Sequence, residues 1–530
     1  MTARTIRGAA AAALAAVLTT GATACSNPSG PGATAADSAV VGIATEPETL
    51  SPLLGYGKDG NSKIFDGLLT HDADMKLRPA LAEALPEVSA DGRTYTYRLR
   101  QGVKFSDGRP FTSEDVEFTY RTILDPRTNN ASKTELDAIE SVTADGPDRV
   151  VFTLKYPYAP FAERTVLPIA PAHVAAGQDV NGGEFTTRPI GTGPYLLTGW
   201  SKGEKITFRA NPSYWGGEPA VKKFTMAVIK DDDVRATRLR SGELDAAILP
   251  PDLARGFAGD KTRTTYAAKT FDYRNVTLPT DHPVTGDTAV RRALDIAVDR
   301  RAMVDKLLDG AGKAAYGPVP TDSPWFTPGT ERAHDPGRAA KILDDAGWRP
   351  AADGIRVKDG VRAAFPLWYT TGDKIRQDHA LAFASDAKKA GIEVTTEAGT
   401  WEVIEPRMKT DAVLAGGGSP ADPDFDQYLL LNSALAGDGF NNMARYENPA
   451  VDRALTDARE SGDPAVRKAA YDTVQRELLT NPGYVFLTHI DHLYVVNDKW
   501  DGPGTQVEPH DHGLGSGPWW NVEDWKPKQK

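Results

Sequence analysis

Four groups of residues in this 530-residue chain have the types and spacing to do chemistry. Asp422, Asp424 and Asp426 alternate as the first ligands of a calcium loop do. Gln427, however, stands where that loop turns on glycine, and Ser433 stands where it closes on a bidentate glutamate, so a solvated strand or loop end is the plainer reading. His489 and His492, with His510 and His512, could offer imidazoles to a metal, but surface histidines near a C-terminus are commoner than sites, and no metal is assigned. The glycine-rich run 513–517 lacks the strand-then-helix setting of a nucleotide loop. For covalent catalysis the chain has no HExxH helix. No catalytic residue and no cofactor follow from these groups, and the chain reads as a non-enzyme. A tethered hydrolase is the rival class.

The fourth group is the single cysteine. Cys25 has no disulfide partner in the chain. Arg4 and Arg7 precede an apolar run at 8–20, and the small residues Gly21, Ala22, Thr23 and Ala24 lead into Cys25. That is the build of a secretory signal, residues 1–24, and the run is too short to span a bilayer. A cysteine at the first mature position resembles a bacterial lipobox, with Ala22 where such boxes prefer leucine, so the Cys25 thiol is expected to be acylated. Residues 25–37 then form a lipid-anchored linker, because Ser, Gly, Pro and Ala dominate 26–36 and nothing there can be buried. The expected location is the extracellular face of a bacterial cell membrane.

The remaining elements must position whatever function the chain has. About 500 residues exceed the size at which one core keeps growing, so two or three domains are expected. A formal charge of −11, made more acidic by loss of the two leader arginines, argues against nucleic acid as a partner and against polybasic membrane attachment. Val40, Val41 and Ile43 read as a strand, as do TYTYRL at 94–99 and RVVFTL at 149–154. Thr112 and Asp115 have capping-box spacing and open a helix with Val116, Phe118 and Ile123 on its apolar side. The stretch 287–310 reads as one helical run through Val290, Leu294, Val298, Met303 and Leu307, stopped at Gly310. A further helix starts at Asp335-Pro336 and ends at Gly347, and residues 450–479 read as a helix pair broken at 461–464. Strands and helices interleave, which gives an α/β class with more than one sheet.

Four blocks in this order resemble the extracellular solute-binding proteins of ABC importers, in the peptide/nickel-type family, family 5. The opening Thr45-Glu46-Pro47 run leads to the first block, Val103-Lys104-Phe105-Ser106-Asp107-Gly108 with Glu114-Asp115-Val116. The second pairs Pro189-Ile190-Gly191-Thr192-Gly193-Pro194-Tyr195 with Asn211-Pro212-Ser213-Tyr214-Trp215. The third is Val290-Arg291-Arg292-Ala293-Leu294, and the fourth Asn442-Met443-Ala444-Arg445-Tyr446-Glu447-Asn448-Pro449. The resemblance spans nearly the whole mature chain. It implies a two-lobed, type II periplasmic-binding-protein-like clamp with an additional third domain. Domain I would comprise 38–85, 190–270 and 490–530, domain II 86–189, and domain III 271–489.

What the resemblance implies for the site is a solute held between domains I and III. Peptide-binding relatives place an aspartate three residues before an Asp-Pro pair to hold the peptide α-amine. Here the pair is Asp422-Pro423, and Ser419 occupies the earlier position. The run Ala415-Gly416-Gly417-Gly418 also lacks the tryptophan usual there. Its three glycines either leave room for a bulkier ligand, admit backbone donors, or simply make a turn. Trp401 resembles a pocket aromatic of the family, and Glu46, Tyr273 and Asn442 are carried over beside it. The expected ligand-binding set is therefore Glu46, Tyr273, Trp401, Ser419, Asp422 and Asn442. The expected activity is capture of oligopeptides or peptide-like solutes by a lipid-anchored monomer and delivery to an ABC transporter permease. Nickel chelates and oligosaccharides stay open as alternative solutes.

Overall fold

The computed structural model describes residues 37–130, 133–510 and 515–529; the leader, Cys25, nearly all of the linker, and His512 lie outside them. Hydrophobic patterning begins where the polar spacer ends. Ser38–Ile43 buries Ala39, Val41 and Ile43 and runs parallel to Lys223–Val228 on one side and Ala246–Leu249 on the other. These strands are the centre of a seven-stranded sheet. Its order is Arg263–Ala268, His492–Asn497, Ala246–Leu249, Ser38–Ile43, Lys223–Val228, Lys205–Ala210, Tyr195–Ser201. It organises the first lobe.

A four-stranded antiparallel sheet follows the order Glu87–Val88, Thr94–Arg98, Arg149–Leu154, Ile139–Ala144. Tyr95 and Tyr97 alternate inward on it, as the pattern at 94–99 requires. The helix Ser113–Leu124 packs on this sheet, and the Asp115 carboxylate accepts the Thr112 N–H at 2.9 Å. That contact satisfies one otherwise orphaned helix donor.

The second lobe is built on six strands in the order Gly312–Ala314, Tyr484–Ile490, Tyr273–Thr277, Ala412–Gly417, Ala364–Thr370, Glu393–Gly399. Tyr484–Ile490 is buried at every position because its faces serve two cores. Val485 and Leu487 join the helices Thr288–Ala297, Pro336–Asp345 and Lys374–Lys389, while Tyr484 and Phe486 join the helix pair Pro449–Glu460 and Pro464–Thr480. The run at 287–310 is two helices, not one. Val298 turns extended, and the Asp299 side chain accepts the Ala302 N–H at 2.9 Å, starting Arg300–Leu307 afresh. An aspartate in register with the apolar period was able to cap a new helix and so break the old one.

The chain crosses between the two large sheets at 268–273 and at 490–492. The Ile490 N–H donates to the Asp272 carbonyl at 2.8 Å, and the Thr270 hydroxyl donates to the Ile490 carbonyl at 2.5 Å. His492 is buried with Nε2 at 2.9 Å from Asp272 Oδ2 and Nδ1 at 2.8 Å from Glu508 Oε2. With a carboxylate oxygen facing each ring nitrogen, both must donate, and the ring is an imidazolium. Burial alone would lower the His492 pKa, but the two carboxylates outweigh it and hold it up at about 10. Burial likewise tends to raise the Asp272 carboxyl, yet Arg274, His510 and His492 hold it well below the usual range.

A group whose pKa rises on folding stabilises the fold fully below its unfolded value and loses that contribution as pH rises through its folded value. His492→Gln is therefore expected to cost about 3–5 kcal/mol at pH 6.5, because it removes the cation shared by two buried carboxylates. In urea titrations the gap between wild type and variant should narrow steadily as pH approaches 10. A gap independent of pH would show that His492 is held neutral.

Candidate functional site

Three parts of the chain meet around a cavity of about 260 Å³, near the lower end of small-molecule sites, ~300 Å³. The first lobe contributes Lys58, Asp66 and His71, the four-stranded unit Glu163 and Arg164, and the second lobe Ser419 and Phe425. Most charges on its walls are already matched. Lys58 lies 3.1 Å from Asp59 and 3.4 Å from Glu135, and His71 Nε2 lies 2.6 Å from Glu163. Arg164 pairs with Glu135 and lays its guanidinium over the Phe425 ring. Asp66 accepts from the Thr192 hydroxyl and the Trp215 indole, both at 2.9 Å; burial pushes its carboxyl up. Among the described residues, Arg164 Nε and Trp520 Nε1 carry no hydrogen-bond partner. The cavity thus has a wall whose charges are largely balanced within it.

The segment 412–426 forms the second-lobe wall. Ala412–Gly417 pairs with Tyr273–Thr277, placing Gly417 opposite Tyr273. The glycines do not open space for a solute. A Cβ on Gly417 would lie 2.5 Å from the Tyr273 hydroxyl, and one on Gly416 2.8 Å from both the Arg274 guanidinium and the His510 ring. Gly418 makes the turn at φ +135°, where a Cβ would meet the Phe271 carbonyl at 2.0 Å. The room left by the missing side chains is filled by the protein's own.

After the turn, the three aspartates are not a solvated loop end, because Asp424–Leu431 is a helix and two of the three are buried against arginines. Asp422 takes two bonds from Arg467 at 2.9 and 2.7 Å. Asp424 takes Arg459 at 3.0 Å and the Tyr158 hydroxyl, from the four-stranded unit, at 2.8 Å. Both arginines come from the helix pair beyond 449, which local sequence could not place. Among the described residues, no cluster of three or more His, Cys, Asp or Glu could hold a metal. His489 and His492 are buried strand residues rather than surface ones, and burial lowers the His489 pKa to about 4.

Of the six expected ligand-binding residues, Ser419 lines the cavity. Tyr273 stands behind it, buried between Phe486 and His489, with its hydroxyl 3.5 Å from Asp426. Asp422 lies beneath the same wall, locked to Arg467. Trp401 is half-buried against Phe440, ring centroids 5.2 Å apart, with the Arg376 guanidinium 5.9 Å from its ring. Glu46 and Asn442 engage the fold itself. Glu46 accepts from the Trp200 indole at 2.9 Å and the Gly203 N–H at 2.7 Å. Asn442, at φ 33°, makes three bonds to the backbone of Asn432 and Tyr446. Lys58, His71, Glu163 and Arg164 were not singled out from sequence. The glycine-rich run 55–60 around Lys58 was the one available signal.

Asp422→Ala should strand Arg467 and lower unfolding free energy by about 3–5 kcal/mol. Replacing both partners by apolar residues of similar volume should recover most of that loss in chemical denaturation. No recovery would mean that Asp422 acts through something other than its ion pair.

A sequence model of the family described as bacterial extracellular solute-binding proteins, family 5 Middle, matches residues 76–440. Protein XP55 of Streptomyces lividans is 65% identical over 94% of this chain and 92% of its own length. NikZ from Campylobacter jejuni, solved in complex with Ni(L-His), superposes with a TM-score of 0.86 at 30% identity, covering 93% of this chain and 100% of that one. The oligopeptide-binding protein AppA from Bacillus subtilis, solved with a nonapeptide, gives 0.81 at 26% identity over 93% and 99%.

Proposed function

This chain belongs to the bacterial extracellular solute-binding proteins of family 5, and from that premise we propose that it is a lipid-anchored receptor for oligopeptides or peptide-like solutes. It captures the solute by closure of its two lobes and hands it to an ABC transporter permease. The observation that carries this reading is the position of the cavity, walled by both lobes and by the four-stranded unit, with two short crossings as the hinge. Such a geometry buries a ligand by rigid-body rotation and makes no bond. Its similar solved structures hold a nonapeptide and a nickel–histidine chelate, and relatives are solute-binding proteins rather than enzymes.

Sheet membership supports domains at 38–85 with 190–270 and 490–530, at 86–189, and at 271–489. Cys25, acylated, would hold a monomer at the extracellular face of the cell membrane through the 25–37 linker. Ser419 and Trp401 would face the solute, while Asp422, Glu46 and Asn442 would hold the wall in shape.

Two experiments test the reading. A thermal-shift screen of the purified protein against peptides, nickel with histidine, and oligosaccharides should reveal stabilisation of about 2.7 kcal/mol at 100 times the dissociation constant. A hit confined to nickel–histidine would make the protein a chelate receptor, the second reading that the NikZ likeness favours. For the anchor, Cys25→Ser should move the protein from the membrane fraction to the medium. Unchanged fractionation would remove the lipid from the account.

A further inference from the structure

One hydrophobic core runs through both the first lobe and the four-stranded unit. It joins Ile43, Tyr195 and Tyr494 of the lobe to Tyr97, Phe152 and Tyr158 of the unit. Ion pairs from Lys58 to Glu135 and from His71 to Glu163 tie the same two parts. A close-packed core shared in this way makes them one body. Among the described residues, Phe425 is the single second-lobe side chain packed against that core. The boundary between the unit and the second lobe is therefore a seam rather than a shared interior.

Buried charges at this seam are matched on their own sides. Asp424 takes Arg459 at 3.1, 3.3 and 3.0 Å, both in the second lobe, and Arg164 takes Glu135, both in the unit. What crosses is the Tyr158 hydroxyl, donating to Asp424 at 2.8 Å, and the Arg164 guanidinium, 3.3 Å from the centroid of the Phe425 ring. The Asp137–Arg459 pair also crosses, at 3.8 Å, but Asp137 is nearly half exposed and such pairs contribute little. Burial and the Asp424 charge hold the Tyr158 hydroxyl well above its ordinary pKa, so it stays a donor. Parting the seam strands no buried ion, because Asp424 and Arg459 leave together and water takes the place of a phenol. Arg255 and Asp309 span the two lobes elsewhere, at 2.5 Å, but both are exposed and screened by salt.

We propose that Tyr158 is the latch of the clamp. Its hydroxyl on Asp424 holds the four-stranded unit, and with it the first lobe, against the second lobe, and sets the balance between closed and open forms. The inference rests on reading the two lobes as a clamp. It gives the unit a task of its own, retention of the closed form by a bond that breaks without leaving a charge behind. Tyr158 does not line the cavity and acts as a positioning residue.

Spin labels on Glu140→Cys in the unit and Asp457→Cys in the second lobe, both exposed positions, report the width of the seam in the Cys25→Ser protein. With the seam itself unaltered, the short distance should dominate. Tyr158→Phe keeps the ring in the core and Arg459 on Asp424, so its urea unfolding should stay near that of the parent. The ratio of long to short distance should rise about ten- to a hundredfold, the worth of one bond to a charged group. Tyr156→Phe removes a hydroxyl bonded to Asp137 inside the unit and should leave the ratio unchanged. An unchanged ratio in Tyr158→Phe beside a parent that shows both distances, an equal rise in Tyr156→Phe, or a parent lacking the short distance would overturn the latch and leave the receptor reading standing. One fixed distance in all three proteins would overturn the latch and take the moving lobes out of the receptor reading with it.

Discussion

Asp272, His492 and Glu508 form the charged bridge that joins the two lobes. Asp272 sits in one crossing between the sheets, His492 begins the strand after the other, and Glu508 arrives from the returning C-terminal segment. The Tyr494 hydroxyl at 2.6 Å and the Gly517 N–H at 2.8 Å complete the shell around Glu508. With the His492 pKa near 10 and Asp272 held far below its usual range, these two groups keep their charges throughout the neutral region. Removing water from three charges is expensive unless every proton and lone pair is met. Here they are met by each other, by Arg274 and His510 on Asp272, and by Tyr494 and Gly517 on Glu508.

Electrostatic matching also explains why the four-stranded unit belongs to the site. Lys58 of the first lobe pairs with Glu135 of that unit, and His71 with Glu163. On the other side, Tyr158 donates to Asp424 and Arg164 lies over Phe425, both in the second lobe. The unit thus touches the first lobe through ion pairs, and the second through a hydroxyl, a guanidinium laid on an aromatic ring and the Asp137–Arg459 pair at 3.8 Å.

Local elements were legible in the sequence wherever a short-range rule decided them. Tyr95 and Tyr97 alternate because a half-buried strand has period two, and Asp115 caps at three residues from Thr112 because the helix geometry sets that distance. The family, and with it the clamp, was carried by four ordered motif blocks. What sequence could not supply were partners distant along the chain. Whether Asp422 and Asp424 are solvated or buried depends on Arg467 and Arg459, 45 and 35 residues away. The space implied by Gly416 and Gly417 depends on Tyr273 and Arg274, across a strand pair. His492 reads as a surface histidine until Asp272, 220 residues earlier, is seen beside it. The break at Val298 was a local competition between apolar period and capping, and the cap prevailed.

The seven-stranded sheet has one further consequence, for the order in which the chain can become ordered. Ser38–Ile43 is at its centre, yet His492–Asn497 closes its other half by pairing with both Ala246–Leu249 and Arg263–Ala268. An emerging chain carries that lobe's first strand some 450 residues ahead of the one that completes it, a separation set by loop closure rather than by local preference. High sequence separation between paired strands slows folding. The first lobe stays incomplete until nearly all of the polypeptide exists, whereas the four-stranded sheet, drawn from one continuous stretch, can form alone. Delayed completion leaves the central strands of the first lobe without their last partner for most of the chain's synthesis.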